Sequence, residues 1–92
     1  MSVRVLIPAS LRKFCEGLDT VEVQADDVRQ ALSELDDKHP GIKSKLCDDH
    51  GNIRRFINIY ANQEDIRFQQ NLDTPLAAGQ EIQIIPAIAG GL

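Results

Sequence analysis

The segment TVEVQADDVRQALSELDDKHPG, residues 20–41, contains a change of hydrophobic period that decides the fold class. Val21 and Val23 alternate with polar residues, and a period of two is typical of a half-buried strand. Beyond residue 27, the apolar positions follow the i, i+3, i+4, i+7 spacing of an amphipathic helix. These positions are Val28, Ala31, Leu32 and Leu35. The segment therefore predicts a strand followed directly by a helix.

Both ends of this helix carry signals in the sequence. Asp26 and Asp27 precede it and suit the positive end of the helix dipole, and Gln30 can complete an arrangement like a capping box. Pro40 and Gly41 follow it, and these two residue types end helices. We expect one main helix, with a second short helical piece around residues 42–46 and an exposed turn at residues 48–52.

Alternating segments lie on both sides of the helix. SVRVLIP, residues 2–8, predicts a first strand, and we expect ASLRKFCEGLD, residues 9–19, to be a connecting loop. EIQIIP, residues 81–86, predicts the last strand, and IRF, residues 66–68, predicts a short one.

The segment RRFINIYANQEDI, residues 54–66, has the strongest alternation in the chain. It predicts a central strand from about residue 55 to residue 61, with Ile57 and Ile59 on one face. Phe56, Asn58 and Tyr60 then lie on the opposite face.

The order of elements, β, β, α, β, short β, β, indicates an α+β chain. The economical way to bury a single helix stripe is against one mixed sheet whose last strand lies next to the first. We therefore predict a β-grasp fold over residues 1–86, followed by a flexible tail, residues 87–92. A chain of 92 residues has the size of one domain.

Composition argues against several classes of function. The net charge of −4 has the wrong sign for a sequence-independent nucleic-acid binder. No segment approaches the roughly 18 apolar residues that cross a bilayer, and the opening residues alternate like a strand rather than an export signal. We expect a cytoplasmic protein without a nucleic-acid or membrane partner.

The residues that could bind a metal or act as nucleophiles are few. Cys47 and His50 have CxxH spacing, and Cys15 and His39 could add ligands, but no second pair has the spacing of a metal site. We expect free thiols, no metal site and no catalytic residue.

The segment IIPAIAGGL, residues 84–92, has features that indicate a functional role. Ile85 breaks the alternation and should face solvent, and Pro86 should end the sheet pairing. The next five residues could reach about 17 Å when extended. Gly90 and Gly91 would pass through a channel that admits no β-carbon. The alternative is an inert end that happens to contain two glycines.

The chain resembles the ubiquitin-like sulfur carriers of the ThiS/MoaD group, and within that group the CysO-like branch. The segments that carry the resemblance are IPASLR (7–12), RFINIYANQEDIRF (55–68) and PLAAGQEIQIIPAIAGG (75–91). The similarity extends over nearly the whole chain.

The resemblance implies that the chain is a substrate of other enzymes and not an enzyme itself, with no tightly bound cofactor. An E1-like adenylyltransferase/sulfurtransferase would use ATP and Mg²⁺ to adenylate Gly91, which a sulfur donor would convert to a thiocarboxylate. Ile88, Ala89 and Gly90 would thread into this partner. The sulfur would pass to a substrate on a PLP-dependent cysteine or homocysteine synthase homologue.

Leu92 departs from the family pattern, because its presence ties the Gly91 carboxylate into a peptide bond. We expect a precursor that is cut between Gly91 and Leu92 by a JAMM-type zinc metallopeptidase. The alternative is that Leu92 stays and the chain does not act as a carrier. Ile85, together with Phe56 and Tyr60, is the expected partner-binding surface.

Three other functions remain open at this point. The chain could be the small subunit of a molybdopterin-synthase-like or siderophore-pathway complex. It could be a ubiquitin-like modifier whose Gly91 forms an isopeptide bond with a lysine. It could also be an interaction module whose tail is inert.

Overall fold

A mixed sheet of five strands forms within residues 2–86, the part of the chain that the computed structural model describes. The strands are β1 (Ser2–Leu6), β2 (Thr20–Gln24), β3 (Ile57–Ala61), β4 (Glu64–Asp65) and β5 (Glu81–Pro86). Their order in the sheet is β2-β1-β5-β3-β4. β1 and β5 are parallel, and every other neighbouring pair in this order is antiparallel. The prediction that the last strand lies beside the first is confirmed.

The main helix, α1 (Val28–Lys38), begins where the sequence predicts. The Asp27 side chain accepts a hydrogen bond from the Gln30 backbone N–H at 2.8 Å, and the Gln30 side chain accepts one from the Asp26 N–H at 2.7 Å. This reciprocal pair satisfies backbone donors that the first helical turn leaves without partners. The four apolar residues of the predicted stripe are all buried.

A second helix, α2 (Ile42–Leu46), is confirmed at the predicted position. Gly41 allows the sharp reversal between α1 and α2 because its φ of +102° is open to glycine but strained for other residues. The Asp36 side chain accepts hydrogen bonds from the N–H groups of Gly41 and Lys43, each at 3.1 Å, and so ties the end of α1 to the start of α2.

The hydrophobic core lies between one face of the sheet and the two helices. Its largest fully buried apolar side chains come from both layers: Val3, Val5, Ile7, Val23, Val28, Leu32, Leu35, Ile42, Leu46, Ile59 and Ile82. Cys15 and Cys47 also belong to the core and are free thiols, as predicted. The alternation along the strands thus separates this inner face from an outer face that turns away from the helices.

The connection between β1 and β2 is more ordered than predicted. Instead of a loop, Ala9–Cys15 forms a 3₁₀ helix that packs Phe14 and Cys15 against the core. Glu16 and Gly17 end this helix with φ angles of 57° and 80°. Gly17 therefore marks the end of a 3₁₀ helix and does not indicate that the whole connection is a loop.

The predicted short strand IRF is wrong. Ile66–Phe68 forms a single 3₁₀ turn, and the short strand β4 lies just before it. The Asp65 side chain accepts a hydrogen bond from the Arg67 backbone N–H at 2.9 Å, which caps the turn. Ile66 is then buried while Phe68 is 80 % exposed.

The central strand β3 starts at Ile57, two residues after the predicted start. The Ile57 N–H donates to the Arg54 carbonyl at 3.0 Å, so residues 55–56 form a turn before the strand. Ile57 and Ile59 point to the core as predicted.

None of the helices within residues 2–86 is long and apolar enough to cross a bilayer. The predicted tail, residues 87–92, lies outside the described residues, and its separation from the domain stays a prediction.

Candidate functional site

Three apolar side chains cluster on the outer face of the sheet, near the end of β5. Gln83 is paired with Leu6 on β1 and with Tyr60 on β3, and Ile85 follows two residues later on the same face. Leu6, Tyr60 and Ile85 are all half-buried. We call these three residues the outer patch. Because Gln83 lies between Leu6 and Tyr60, the outer patch combines apolar and polar groups, as interaction surfaces do.

A shallow depression of about 410 Å³ lies beside the outer patch. Leu6 and Ile85 contribute to its lining, together with Pro8, Arg12 and Pro86. The Arg12 Nε atom donates a hydrogen bond to the Ile7 carbonyl at 3.1 Å, which holds this cation in the wall of the depression. Asp19 also lines the depression, which thus combines apolar surface with one positive and one negative side chain.

The position of Ile85 was predicted correctly from the broken alternation of its strand. Ile82 and Ile84 are buried, and Ile85 lies on the other face opposite Asn58. Tyr60 shares this outer face, also as predicted. Their contact with a partner stays a prediction.

Phe56 was expected on the same face, but the predicted strand that would have fixed its direction starts only at Ile57. Phe56 is 51 % exposed and lies in the turn before β3. Its place in a partner-binding surface stays a prediction, without support from the pleat of the sheet.

Leu6 was not predicted as part of the partner-binding surface, although the sequence contains a signal for its outward position. The run Val5, Leu6, Ile7 has no polar residue at its middle, outward position, and Ile84 and Ile85 break the alternation in the same way. Since β1 and β5 are neighbours, these two breaks meet on one face.

An ion pair at the edge of the sheet supports the outer face. The Arg67 guanidinium contacts Asp65 with 2.7 Å between Nη2 and Oδ2, and also donates to the Asn58 side chain at 2.8 Å. Hydrogen bonds from Arg67 hold the pKa of the Asp65 carboxyl below its usual range, and the pKa of Arg67 is raised in turn. The hydrogen bond from Arg67 orients the side chain of Asn58, which the strand register places opposite Ile85.

The predicted tail residues are Ile88, Ala89, Gly90, Gly91 and Leu92, and all five lie outside the described residues. The last described residue is Pro86, which is paired with Ile57 and lines the depression beside the outer patch. The described part of the chain therefore ends at this surface.

The cysteines and histidines do not form a reactive site within residues 2–86. Burial raises the pKa of both the Cys15 and the Cys47 thiol, which disfavours the nucleophilic thiolate. His39 is buried at the end of α1, with its Nδ1 atom 3.5 Å from a Glu16 carboxylate oxygen, and His50 lies in an exposed turn. The described residues contain no group of three or more side chains that could hold a metal ion.

Comparison with known proteins identifies close relatives along the whole chain. The sulfur carrier protein CysO of Mycobacterium tuberculosis is 40 % identical over 93 residues, which cover 99 % of this chain and 100 % of that protein. The small archaeal modifier protein 1 of Haloferax volcanii is 33 % identical over 78 residues, covering 82 % of this chain and 85 % of that protein.

A solved structure has the same fold. One chain of the crystallised Amycolatopsis orientalis BexX/CysO complex superposes with a TM-score of 0.91 at 37 % identity, covering 97 % of this chain and 99 % of that one. The predicted ubiquitin-like β-grasp fold is thereby confirmed. The model of the ThiS family matches residues 5–91. The chain therefore belongs to the ThiS family.

Proposed function

We propose that this chain is a sulfur carrier that bears its sulfur as a thiocarboxylate on Gly91. The observation that carries the proposal is the outer patch, which lies where a ThiS-family chain leaves its folded domain toward a glycine pair. The match to the family ends at Gly91, the second of these glycines. The relatives named sulfur carrier protein support the same role.

Gly91 needs a partner because a carboxylate is a poor electrophile. In the proposed first step, a carboxylate oxygen attacks the α-phosphorus of ATP on an E1-like partner, and pyrophosphate leaves. Mg²⁺ and cations of the partner stabilise the charge on the phosphates. A sulfur donor then attacks the acyl carbon and displaces AMP, which leaves the thiocarboxylate. Ile88, Ala89 and Gly90 reach into the partner while the outer patch, with or without Phe56, rests on its surface.

Hydrolysis between Gly91 and Leu92 must come before adenylation, because the Gly91 carboxylate does not exist until that peptide bond is cut. A JAMM-type zinc metallopeptidase is the proposed processing enzyme. The thiocarboxylate sulfur is then delivered to an acceptor on a PLP-dependent cysteine or homocysteine synthase homologue. The crystallised BexX/CysO complex supports the idea that chains of this fold dock onto a partner.

A comparison of two lengths of the chain tests the proposal. The full chain and a variant that ends at Gly91 are each incubated with the activating partner, ATP and Mg²⁺, and pyrophosphate release is measured. We expect release only from the variant that ends at Gly91. With a sulfur donor present, its intact mass should change by the exchange of one oxygen for one sulfur. A Gly91→Leu version of the shortened chain is the matched control and should release little pyrophosphate, because its side chain obstructs a channel built for bare backbone.

If the chain that ends at Gly91 never releases pyrophosphate, the proposal is wrong. If the full chain releases it equally well, the processing step is wrong.

A second candidate function is protein modification. The similarity to the small archaeal modifier protein 1 favours it, because that relative matches 82 % of this chain. The same activated Gly91 would then form an isopeptide bond with a lysine amine instead of taking up sulfur. Intact mass after coexpression separates the two, since conjugates of higher mass would favour the modifier.

A further inference from the structure

A second and larger cavity, of about 610 Å³, lies at the edge of the sheet formed by β3 and β4. It opens between the segment before β3 and the 3₁₀ segments that follow β4. Within residues 2–86, four arginines line it: Arg29, Arg54, Arg55 and Arg67. We call this cavity the arginine pocket. Such a concentration of positive charge is unexpected in a chain whose net charge is −4.

Two of these arginines have their charge matched by acids in the same cavity. Arg67 is paired with Asp65 at 2.7 Å, and Arg29 is paired with Asp73 at 3.1 Å. Both acids line the arginine pocket. These two pairs therefore contribute no net charge to it.

The other two arginines make no ion pair within residues 2–86, although Asp48 lies close enough to Arg54 for their charges to interact. Arg54 donates from Nε and Nη2 to the Ser44 backbone carbonyl, at 3.1 and 2.9 Å, and this acceptor carries no charge. Arg55 is exposed and makes no hydrogen bond or ion pair within the described part of the chain. The pocket is thus left with an excess of two positive charges, and the Arg55 guanidinium has its donors available.

The remaining lining is suited to an organic molecule. Ile53 and Leu72 are half-buried and offer apolar surface, while Asn52, Gln70 and Asn71 offer neutral donors and acceptors. The cavity volume falls within the range of about 300–1,000 Å³ found for small-molecule sites.

We propose that the arginine pocket binds an organic phosphate monoester with a compact apolar or planar body. A phosphate monoester carries a charge of roughly −1.5 to −2 at neutral pH, which suits a lining in which four arginines stand against two acids. Arginine presents its donors in a planar fork that suits phosphate oxygens. The apolar body then packs against Ile53 and Leu72. This site goes beyond the proposed carrier function, because none of the three residues of the outer patch lines it, although Arg67 also reaches Asn58 on the outer face.

Titration with phenyl phosphate, followed by ¹H–¹⁵N NMR of the full chain at constant ionic strength, tests the proposal. We expect saturable shifts that are concentrated at residues 52–55 and 70–73. Arg55→Gln should weaken binding by about tenfold, since a charge-assisted hydrogen-bonding group is lost. This variant should fold normally because Arg55 is exposed and makes no hydrogen bond or ion pair within residues 2–86.

Arg4→Gln is the matched control. It removes the same charge, but Arg4 lies on the outer face in an ion pair with Glu81, outside the arginine pocket. We expect this variant to bind phenyl phosphate within about twofold of the unmodified chain, because a distant exposed charge is largely screened. Equal weakening by Arg4→Gln and Arg55→Gln would overturn the proposal, as would shifts spread evenly over the surface.

Two further ligands test the chemical class. Benzoate keeps the planar body but carries a single charge, and inorganic phosphate keeps the charge but lacks the body. The proposal expects both to bind several-fold more weakly than phenyl phosphate. If either binds as tightly as phenyl phosphate, then the charge match or the apolar wall has no role, and the proposal as stated is wrong.

Discussion

Asp65 is the residue whose ionisation has the clearest consequence for the described fold. Its side chain is only 7 % exposed, whereas that of its partner Arg67 is 62 % exposed. Hydrogen bonds from Arg67 lower the pKa of Asp65 in the folded chain relative to the unfolded chain. A lowered folded-state pKa contributes stability above the unfolded value of about 3.9, and this stability is lost as the pH falls through the folded-state pKa.

We therefore predict that Asp65→Asn lowers the free energy of unfolding at pH 7 by about 1–3 kcal/mol, because charge-assisted hydrogen bonds are lost. Below pH about 4 the difference from the unmodified chain should shrink, since Asp65 is protonated first in the unfolded chain and then, as the pH falls through its lowered pKa, in the folded chain as well. Urea denaturation at several pH values measures both effects. Asp73→Asn is the control, because the ion pair of Asp73 with Arg29 is exposed and should contribute less than about 1 kcal/mol. A difference for Asp65→Asn that is the same at pH 7 and pH 2.5 would contradict the explanation.

At the scale of elements, α1 depends on its cap. The carboxylate of Asp27 bonds to the Gln30 N–H, and the bond also aligns a negative charge with the positive end of the helix. We predict that Asp27→Ala lowers the free energy of unfolding by about 1 kcal/mol. Asp37→Ala should cost nothing, because Asp37 is exposed near the negative end of the same helix. Thermal unfolding of the two variants checks this, and equal losses would show that the cap is not the cause.

The outer patch gives a prediction at the same scale, and it rests on the proposed function. Ile85→Gln removes apolar surface from the patch, and we expect it to lower kcat/KM for pyrophosphate release by about tenfold or more, as loss of an apolar anchor does at interfaces. Ser2→Gln is the matched control, because Ser2 is also half-buried on the outer face but lies at the opposite end of β1 from Leu6, outside both the outer patch and the depression. Normal activation of the Ile85 variant would remove the patch from the docking surface.

The elements with a long, regular hydrophobic period were the ones that the sequence could predict. β2 and α1 each repeat one apolar spacing over the whole element, β1 and β5 do so up to Leu6 and Ile85, and burial depends directly on that spacing. The 3₁₀ segments have no such period. Ile66–Phe68 was predicted as a strand because its two apolar residues alternate around Arg67, and only the cap made by Asp65 decides otherwise.

The outer patch and the arginine pocket also differ in how far each could be predicted from the sequence. Ile85 could be found because the break in alternation is local to its own strand. The arginine pocket could not be found, because Arg29 comes from α1 while Arg54, Arg55 and Arg67 come from segments before and after β3. No spacing in the sequence relates residues that only the folded chain brings together.

For the whole molecule, a chain of 92 residues is expected to have a net stability of only about 5–14 kcal/mol. This margin protects the two thiols, since Cys15 and Cys47 are both in the core. The burial of both thiols is consistent with the proposed function, in which the transferable sulfur is carried on a glycine and not on a cysteine. Both thiols have a raised pKa from burial, which further reduces the thiolate that could compete for a sulfur donor.

We predict that a thiol reagent such as DTNB modifies the folded chain at least about a thousandfold more slowly than the unfolded chain, because each thiol must wait for an opening of the core. The rate should rise steeply with urea, in parallel with unfolding. The absorbance of the coloured product of DTNB measures this rate. The thiocarboxylate form should instead react at once with one equivalent, since its sulfur is ionised and lies at Gly91. Cys15→Ala and Cys47→Ala identify which thiol reacts in each case. If either cysteine of the folded, unmodified chain reacts as fast as a free peptide thiol, then the core does not protect it and a cysteine-bound persulfide becomes a rival form of the carried sulfur.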